Sequence, residues 1–201
     1  MVISHQHRFI FFKTQKTAGT SIEVFLSSRC GPDDVLTPII PPEPGHLPRN
    51  SQDFFNHMPA RIVQQRLSPD VWNGYFKFCV ERNPWDKTLS HYHLWNFRAG
   101  GNATFDQFLA AGELPLGRPL YTDASREKVI VDRVLRYENL AAELGEVFTR
   151  LGIPYTGDLG VRAKSEYRKD RRPYQQIYTP AQREFVAQVF AWEIARYGYR
   201  F

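Results

Sequence analysis

The chain of 201 residues is long enough for one sizeable core and favours a single domain over residues 1–201. Lysine and arginine exceed aspartate and glutamate by 26 − 21 = 5, and a pI near 9.3 suits an anionic ligand, although charge alone would also admit nucleic acid. Two cysteines, Cys30 and Cys79, exclude a disulfide framework; with no apolar run of transmembrane length and no secretory leader, the expectation is a soluble, cytoplasmic protein without membrane insertion.

The first predicted elements frame a loop. Phe9-Ile10-Phe11-Phe12 reads as a buried strand, and Ile22, Phe25 and Leu26 recur at the spacing of one helix face. Between them lies Lys16 to Ser21, K-T-A-G-T-S. A helix entered from such a loop presents unpaired N–H groups and the positive end of its dipole, so Ala18, Gly19, Thr20 and Ser21 form a candidate anion cradle. Gly19 allows close backbone approach. The plain alternative is a turn whose Gly, Thr and Ser only cap a helix. Against the Walker A pattern, Thr14 stands where the first glycine belongs and Thr20 where the lysine belongs, so only Gly19 and Ser21 fit. The lysine is Lys16, ahead of the small residues, where it could reach over an anion held by the loop.

After this helix, Gly31-Pro32 ends the regular pattern, and Pro38, Pro41, Pro42, Pro44 and Pro48 predict a long loop, a candidate wall for an acceptor site. Pro59 fits the first position of a short helix through Leu67, with Asn56 or His57 near its cap. Tyr75 to Glu81 reads as a second buried strand, broken by Arg82-Asn83-Pro84 before a helix that starts near Trp85 and runs through Leu89, Tyr92 and Trp95. Thr104 is read as the cap of a short helix carrying Phe105, Phe108 and Leu109. Val129 to Arg136 predicts one bent strand or two short ones. Leu140, Leu144, Val147, Phe148 and Leu151 give a helix face ended by Gly152. The last helix opens on the capping box Thr179-Pro180-Ala181-Gln182 and ends at Gly198. This alternation predicts an α/β fold, a mainly parallel central sheet flanked by helices, with ligands outside the carboxyl ends of its strands.

A second chemical signal follows the second strand. Arg82 precedes a helix N-terminus, where a cation opposes the dipole unless an anion offsets both. Ser90, inside that helix, could donate a hydroxyl to a phosphate alongside it. The alternative pairs Arg82 with Glu81 or Asp86. His91 and His93 do not share a helix face, and no metal-ligand set is expected.

K-T-A-G-T-S after a hydrophobic strand resembles the 5′-phosphosulfate loop of sulfotransferases that use 3′-phosphoadenosine 5′-phosphosulfate (PAPS), and Arg82 to Tyr92, R-N-P-W-D-K-T-L-S-H-Y, resembles their 3′-phosphate segment. Leu135 to Leu140 and Tyr178 through Phe201 resemble later segments of the same family, and the resemblance is closest to the carbohydrate branch that includes heparan sulfate 2-O-sulfotransferases and to compact bacterial relatives. The resemblance implies a P-loop-like three-layer domain that binds PAPS through Lys16, Thr17, Ala18, Gly19, Thr20, Ser21, Arg82 and Ser90. It also implies transfer of the sulfuryl group to an acceptor hydroxyl, with a saccharide as the implied acceptor and no nucleic-acid partner. Lys87 departs from the arginine many relatives carry, which keeps charge and loses any bidentate contact. Asn56-His57-Met58-Pro59-Ala60 looks like the family's short histidine motif, which puts His57 on the catalytic base and leaves His46 as its rival. An imidazole near neutral pH suits removal of a hydroxyl proton. Lys16 would meet the charge growing on the leaving phosphate oxygen. Arg162, Lys164, Arg168, Arg171 and Arg172 are expected in a basic flap over the nucleotide, because the family commonly closes that side with a loop.

Two other readings compete. A nucleotide-dependent kinase is weakened by the missing Walker lysine and by a second strand that ends in Glu81-Arg82 without an aspartate. A non-catalytic basic module gripping nucleotide or acidic polymer would show steep salt dependence.

Overall fold

The computed structural model describes the chain except Arg162, Lys164, Ser165, Glu166 and Lys169. In chain order the elements are β1 (Val2–Ser4), β2 (Phe9–Phe12), α1 (Gly19–Ser27), β3 (Val35–Leu36), α2 (Ala60–Arg66), α3 (Pro69–Gly74), β4 (Phe76–Glu81), α4 (Pro84–Arg98), α5 (Phe105–Ala111), α6 (Arg118–Tyr121), β5 (Arg133–Arg136), α7 (Leu140–Arg150), α8 (Pro180–Val189) and α9 (Ala191–Tyr197).

The sheet runs in the order β3-β1-β2-β4-β5. β2, β4 and β5 form the expected parallel core, with Phe12 opposite Cys79 and Glu81 opposite Arg136. β1 and β3 extend it as an antiparallel edge that the sequence did not announce, because three and two residues are too short to show a periodicity. The fold is therefore mixed α/β, a five-stranded sheet flanked by helices.

The residues cluster into two compact units, Met1–Glu81 with Gly117–Ala163, and Arg82–Leu116 with Lys164–Phe201. The first contains the sheet. Successive side chains of β2 point to opposite faces: Phe9 and Phe11 enter a core with Ile22, Phe25 and Leu26 of α1 and Leu144, Val147 and Phe148 of α7, while Phe12 meets Trp72 of α3 edge to face on the other side. Phe25 and Phe148 stack with ring centroids 5.2 Å apart. The second unit is helical. Trp85 and Leu89 of α4, Phe108 and Leu109 of α5, and Val186 and Phe190 share its core with Tyr178.

Two expectations change in detail. Of the segment Val129 to Arg136, only Arg133–Arg136 is strand, because Asp132 bonds to Lys77 through both its backbone N–H (2.8 Å) and its carboxylate (2.7 Å), replacing ladder pairing there. The closing helix is two helices, since the backbone at Phe190 leaves helical geometry (φ −104°, ψ 23°) while its ring is wholly buried. The anticipated capping box of Thr179 with Gln182 forms, and Thr104, anticipated as a cap, makes a full box with Gln107. Among the described residues, no helix is long and apolar enough to cross a membrane.

Candidate functional site

The sequence-predicted residues fall in both units. In the first, the chain leaves β2, forms a tight loop and enters α1. Lys16 (φ 61°) and Ala18 (φ 60°) adopt left-handed backbone conformations, which cost a non-glycine residue about 1 kcal/mol or more each. Thr14 anchors the loop by donating its hydroxyl to the Val80 carbonyl of β4. Thr17 is fully buried, its hydroxyl 2.8 Å from that of Thr14. The Thr17 side chain therefore shapes the loop from inside. The Ser21 hydroxyl accepts from the Ala163 amide at 3.1 Å.

Ala18 occupies the cap position of α1 and no side chain caps it; α2, α6, α7 and α9 likewise start without a side-chain cap, whereas Ser68, Asn83, Thr104 and Thr179 each cap a helix with a side-chain hydrogen bond. The expectation that Gly, Thr and Ser merely cap this helix is not met. The Gly19, Thr20 and Ser21 amides have no helical carbonyl behind them and carry the positive end of the dipole.

His57 lies in the same unit, just before α2. Its backbone is left-handed (φ 58°), so it stands outside the helix rather than capping it. Nδ1 lies 3.0 Å from the carbonyl oxygen of Lys13. A carbonyl can only accept, so Nδ1 carries the hydrogen and Nε2 keeps its lone pair. Burial first, and the nearby Lys13 charge second, lower the His57 pKa to about 4, so the imidazole is neutral at physiological pH. The rival, His46, is buried with Nε2 2.9 Å from the Thr37 carbonyl.

Lys13 and Glu23 form a buried pair that the motif reading did not include. Lys13 Nζ donates to Glu23 Oε2 at 2.6 Å, and the Met1 amino group also donates to Glu23. Burial pushes the Glu23 carboxyl up, but the charges of the Met1 amino group and Lys13 outweigh it and hold the pKa below its usual value. The signal was a charged residue inside Ile22-Glu23-Val24-Phe25-Leu26, an otherwise apolar helical run.

The second unit carries Arg82 and Ser90. Arg82 donates to Asp86 Oδ2 through Nε (3.0 Å) and Nη2 (2.6 Å), and Arg168 Nη1 donates to Oδ1 of the same carboxylate at 2.8 Å. One carboxylate thus aligns two guanidiniums. Pairing of Arg82 with Asp86 was anticipated as the alternative to a phosphate; the participation of Arg168 was not. Ser90 is half-buried on α4. Lys87 is fully buried, its ammonium 5.0 Å from the Phe190 ring centroid. Of the anticipated basic flap, Arg162 and Lys164 lie outside the described residues, Arg168 holds Asp86, and Arg172 pairs with Asp170.

No family model matches the chain. An uncharacterized protein of Archaeoglobus fulgidus is 36% identical over 118 residues, which cover 56% of this chain and 98% of that protein. The chain belongs to the family of that archaeal protein. Among solved structures, the fold of this family member is similar to that of the mouse sulfotransferase SULT7A1, determined in complex with PAP, with a TM-score of 0.57 and 14% identity over 96% of this chain and 86% of the mouse chain.

Proposed function

We propose that this protein is a sulfotransferase that uses PAPS and moves its sulfuryl group to an acceptor hydroxyl, the 201 residues acting as one functional domain. The observation that carries this reading is the uncapped entry to α1 through left-handed Lys16 and Ala18, a helix start whose amides and dipole fit an anion. The ion pair of Arg82 with Asp86 is the arrangement expected without a phosphate, so the 3′-phosphate role of Arg82 rests on the sequence resemblance. Likeness to the fold of a sulfotransferase described with PAP supports the sulfotransferase reading.

Lys16 with the amides of Ala18 to Ser21 would hold the 5′ end of the nucleotide, and Arg82 with Ser90 its 3′-phosphate. Bound there, the nucleotide supplies the sulfuryl group. His57 Nε2, with its lone pair fixed by the bond at Nδ1, takes the proton of the acceptor hydroxyl as that oxygen attacks sulfur. The Lys16 ammonium and the loop amides meet the negative charge released on the phosphate oxygen.

The family resemblance points to a saccharide acceptor. In the long loop before His57, Ile40 is 78% and Leu47 68% exposed, while Arg49 is committed to the carbonyls of Ser27, Cys30, Gly31 and Leu47.

The deciding experiment is thermal unfolding with 3′-phosphoadenosine 5′-phosphate, 5′-AMP and ATP-magnesium at equal concentration. A ligand at a hundred times its dissociation constant stabilises the folded state by about 2.7 kcal/mol. The expected result is a shift specific to the 3′,5′-bisphosphate. No shift, or an equal one with ATP-magnesium, overturns the reading in favour of a kinase or a binding module.

A further inference from the structure

Resting on the sulfotransferase reading, we propose that Lys13 is a positioning residue that ties the candidate base to the anion loop, so that His57 and α1 keep one fixed arrangement.

Three parts of this one residue make three separate contacts. Its carbonyl accepts from His57 Nδ1. Its aliphatic stem lies against Gly19, so close that a Cβ at position 19 would stand 2.5 Å from Lys13 Cγ. Its ammonium reaches Glu23, on the second turn of α1. Lys13 is the first residue after β2, so the strand fixes its position. Any displacement of Lys13 therefore moves the imidazole partner and the loop floor together.

The chemistry of the pair argues for a positioning role over a purely stabilising one. Lys13 is 5% exposed and Glu23 not at all. Burying both charges carries a desolvation cost that apolar residues of similar volume avoid, so a packing role alone did not require ions. An ion pair instead holds a defined distance and direction, because its hydrogen bond is directional where apolar contact is not. Glu23 also neutralises Lys13, which keeps the buried ammonium from competing with Lys16 as the anion's partner. The Lys13 charge near His57 favours the neutral imidazole, the form able to accept a proton.

The test compares wild type, Lys13→Arg and the double variant Lys13→Met with Glu23→Gln, which removes both charges and keeps the stem, while the Met1 amino group keeps its hydrogen bond to Thr37. Two readouts are taken on the whole chain: the dissociation constant for 3′-phosphoadenosine 5′-phosphate, and the tautomer and titration midpoint of His57 by nitrogen-15 NMR. Wild type is expected to show one tautomer, with hydrogen on Nδ1. The double variant should bind the bisphosphate at least three-fold more weakly, show mixed tautomers and titrate His57 at higher pH. Lys13→Arg should recover most of both. A folded double variant with wild-type affinity and an unchanged His57 signal overturns the proposal and leaves the sulfotransferase reading standing. A wild-type protein that ignores the bisphosphate overturns that reading, and the coupling with it. Should the double variant not fold, the single variant Lys13→Met decides: mixed His57 tautomers with weaker bisphosphate binding support positioning, and a wild-type His57 signal with wild-type affinity overturns it.

Discussion

Asp86 accepts two hydrogen bonds from Arg82 on a single carboxylate oxygen, at 3.0 and 2.6 Å, and gives its other oxygen to Arg168. The carboxylate thus orients Arg82. Arg82→Ala removes a charge-assisted partner worth about 1.5–3 kcal/mol, so the bisphosphate should bind roughly ten- to a hundredfold more weakly. Asp86→Ala keeps both cations and loses their alignment, so its effect should be smaller. Calorimetric titration of the three proteins checks the order. Equal affinity in wild type and Arg82→Ala would remove Arg82 from the nucleotide site.

His57→Ala should lower sulfuryl transfer roughly 10²- to 10⁴-fold and leave bisphosphate affinity nearly unchanged. Because burial and the Lys13 charge lower the His57 pKa to about 4, the acid limb of kcat/KM, which reports the free protein, should lie near pH 4 rather than near 6.5. The same shift enters stability. Below about pH 6.5 the unfolded chain takes up a proton that the folded chain refuses until about 4, so the His57 contribution is complete above 6.5 and erodes across that window. Thermal unfolding from pH 7 to pH 4 should therefore fall less steeply in His57→Ala than in wild type.

Gly19→Ala places a methyl 2.5 Å from Lys13 Cγ, on a stem that Glu23 holds at its far end. Overpacking of this kind costs about 1–3 kcal/mol. The urea midpoint should drop accordingly, and bisphosphate affinity with it, since the loop must move. An unchanged midpoint would mean that the stem has room to turn aside.

Asp34 binds the edge of the sheet together. Its buried carboxylate accepts from Ser4 Oγ (2.7 Å) and from the amides of His5 (2.6 Å), Gly31 (2.9 Å) and Gln6 (3.2 Å). Burial pushes the carboxyl up, but these hydrogen bonds outweigh it and hold the pKa below its ordinary value. Asp34→Ala leaves several donors without their acceptor and should cost about 1–3 kcal/mol at pH 7. A lowered carboxyl pKa stabilises above the unfolded value and is lost as pH falls through the folded one. The gap in urea midpoint between wild type and Asp34→Ala should narrow as the buffer is taken from pH 7 to below pH 4.

The α/β class and the elements with repeated apolar faces were legible because their pattern is local. Phe9 to Phe12, Phe76 to Glu81 and the face of α7 each announce themselves within a dozen residues, and the box at Thr179 uses neighbours three apart. The loop from Lys16 to Ser21 was legible for the same reason. β1 and β3 were not, since a three-residue strand forms on the edge that β2 offers and a two-residue strand on the edge that β1 then offers. The sequence alone determined where a strand turns into a helix through small residues, and where a histidine and an arginine stand beside helix starts. Only the tertiary structure decided that no side chain caps α1, that Thr17 faces inward, and that Lys13 gives its carbonyl to His57 and its ammonium to Glu23. Those contacts join residues 44 and 10 positions apart, and no short-range periodicity encodes which donor will meet which acceptor once the chain has folded.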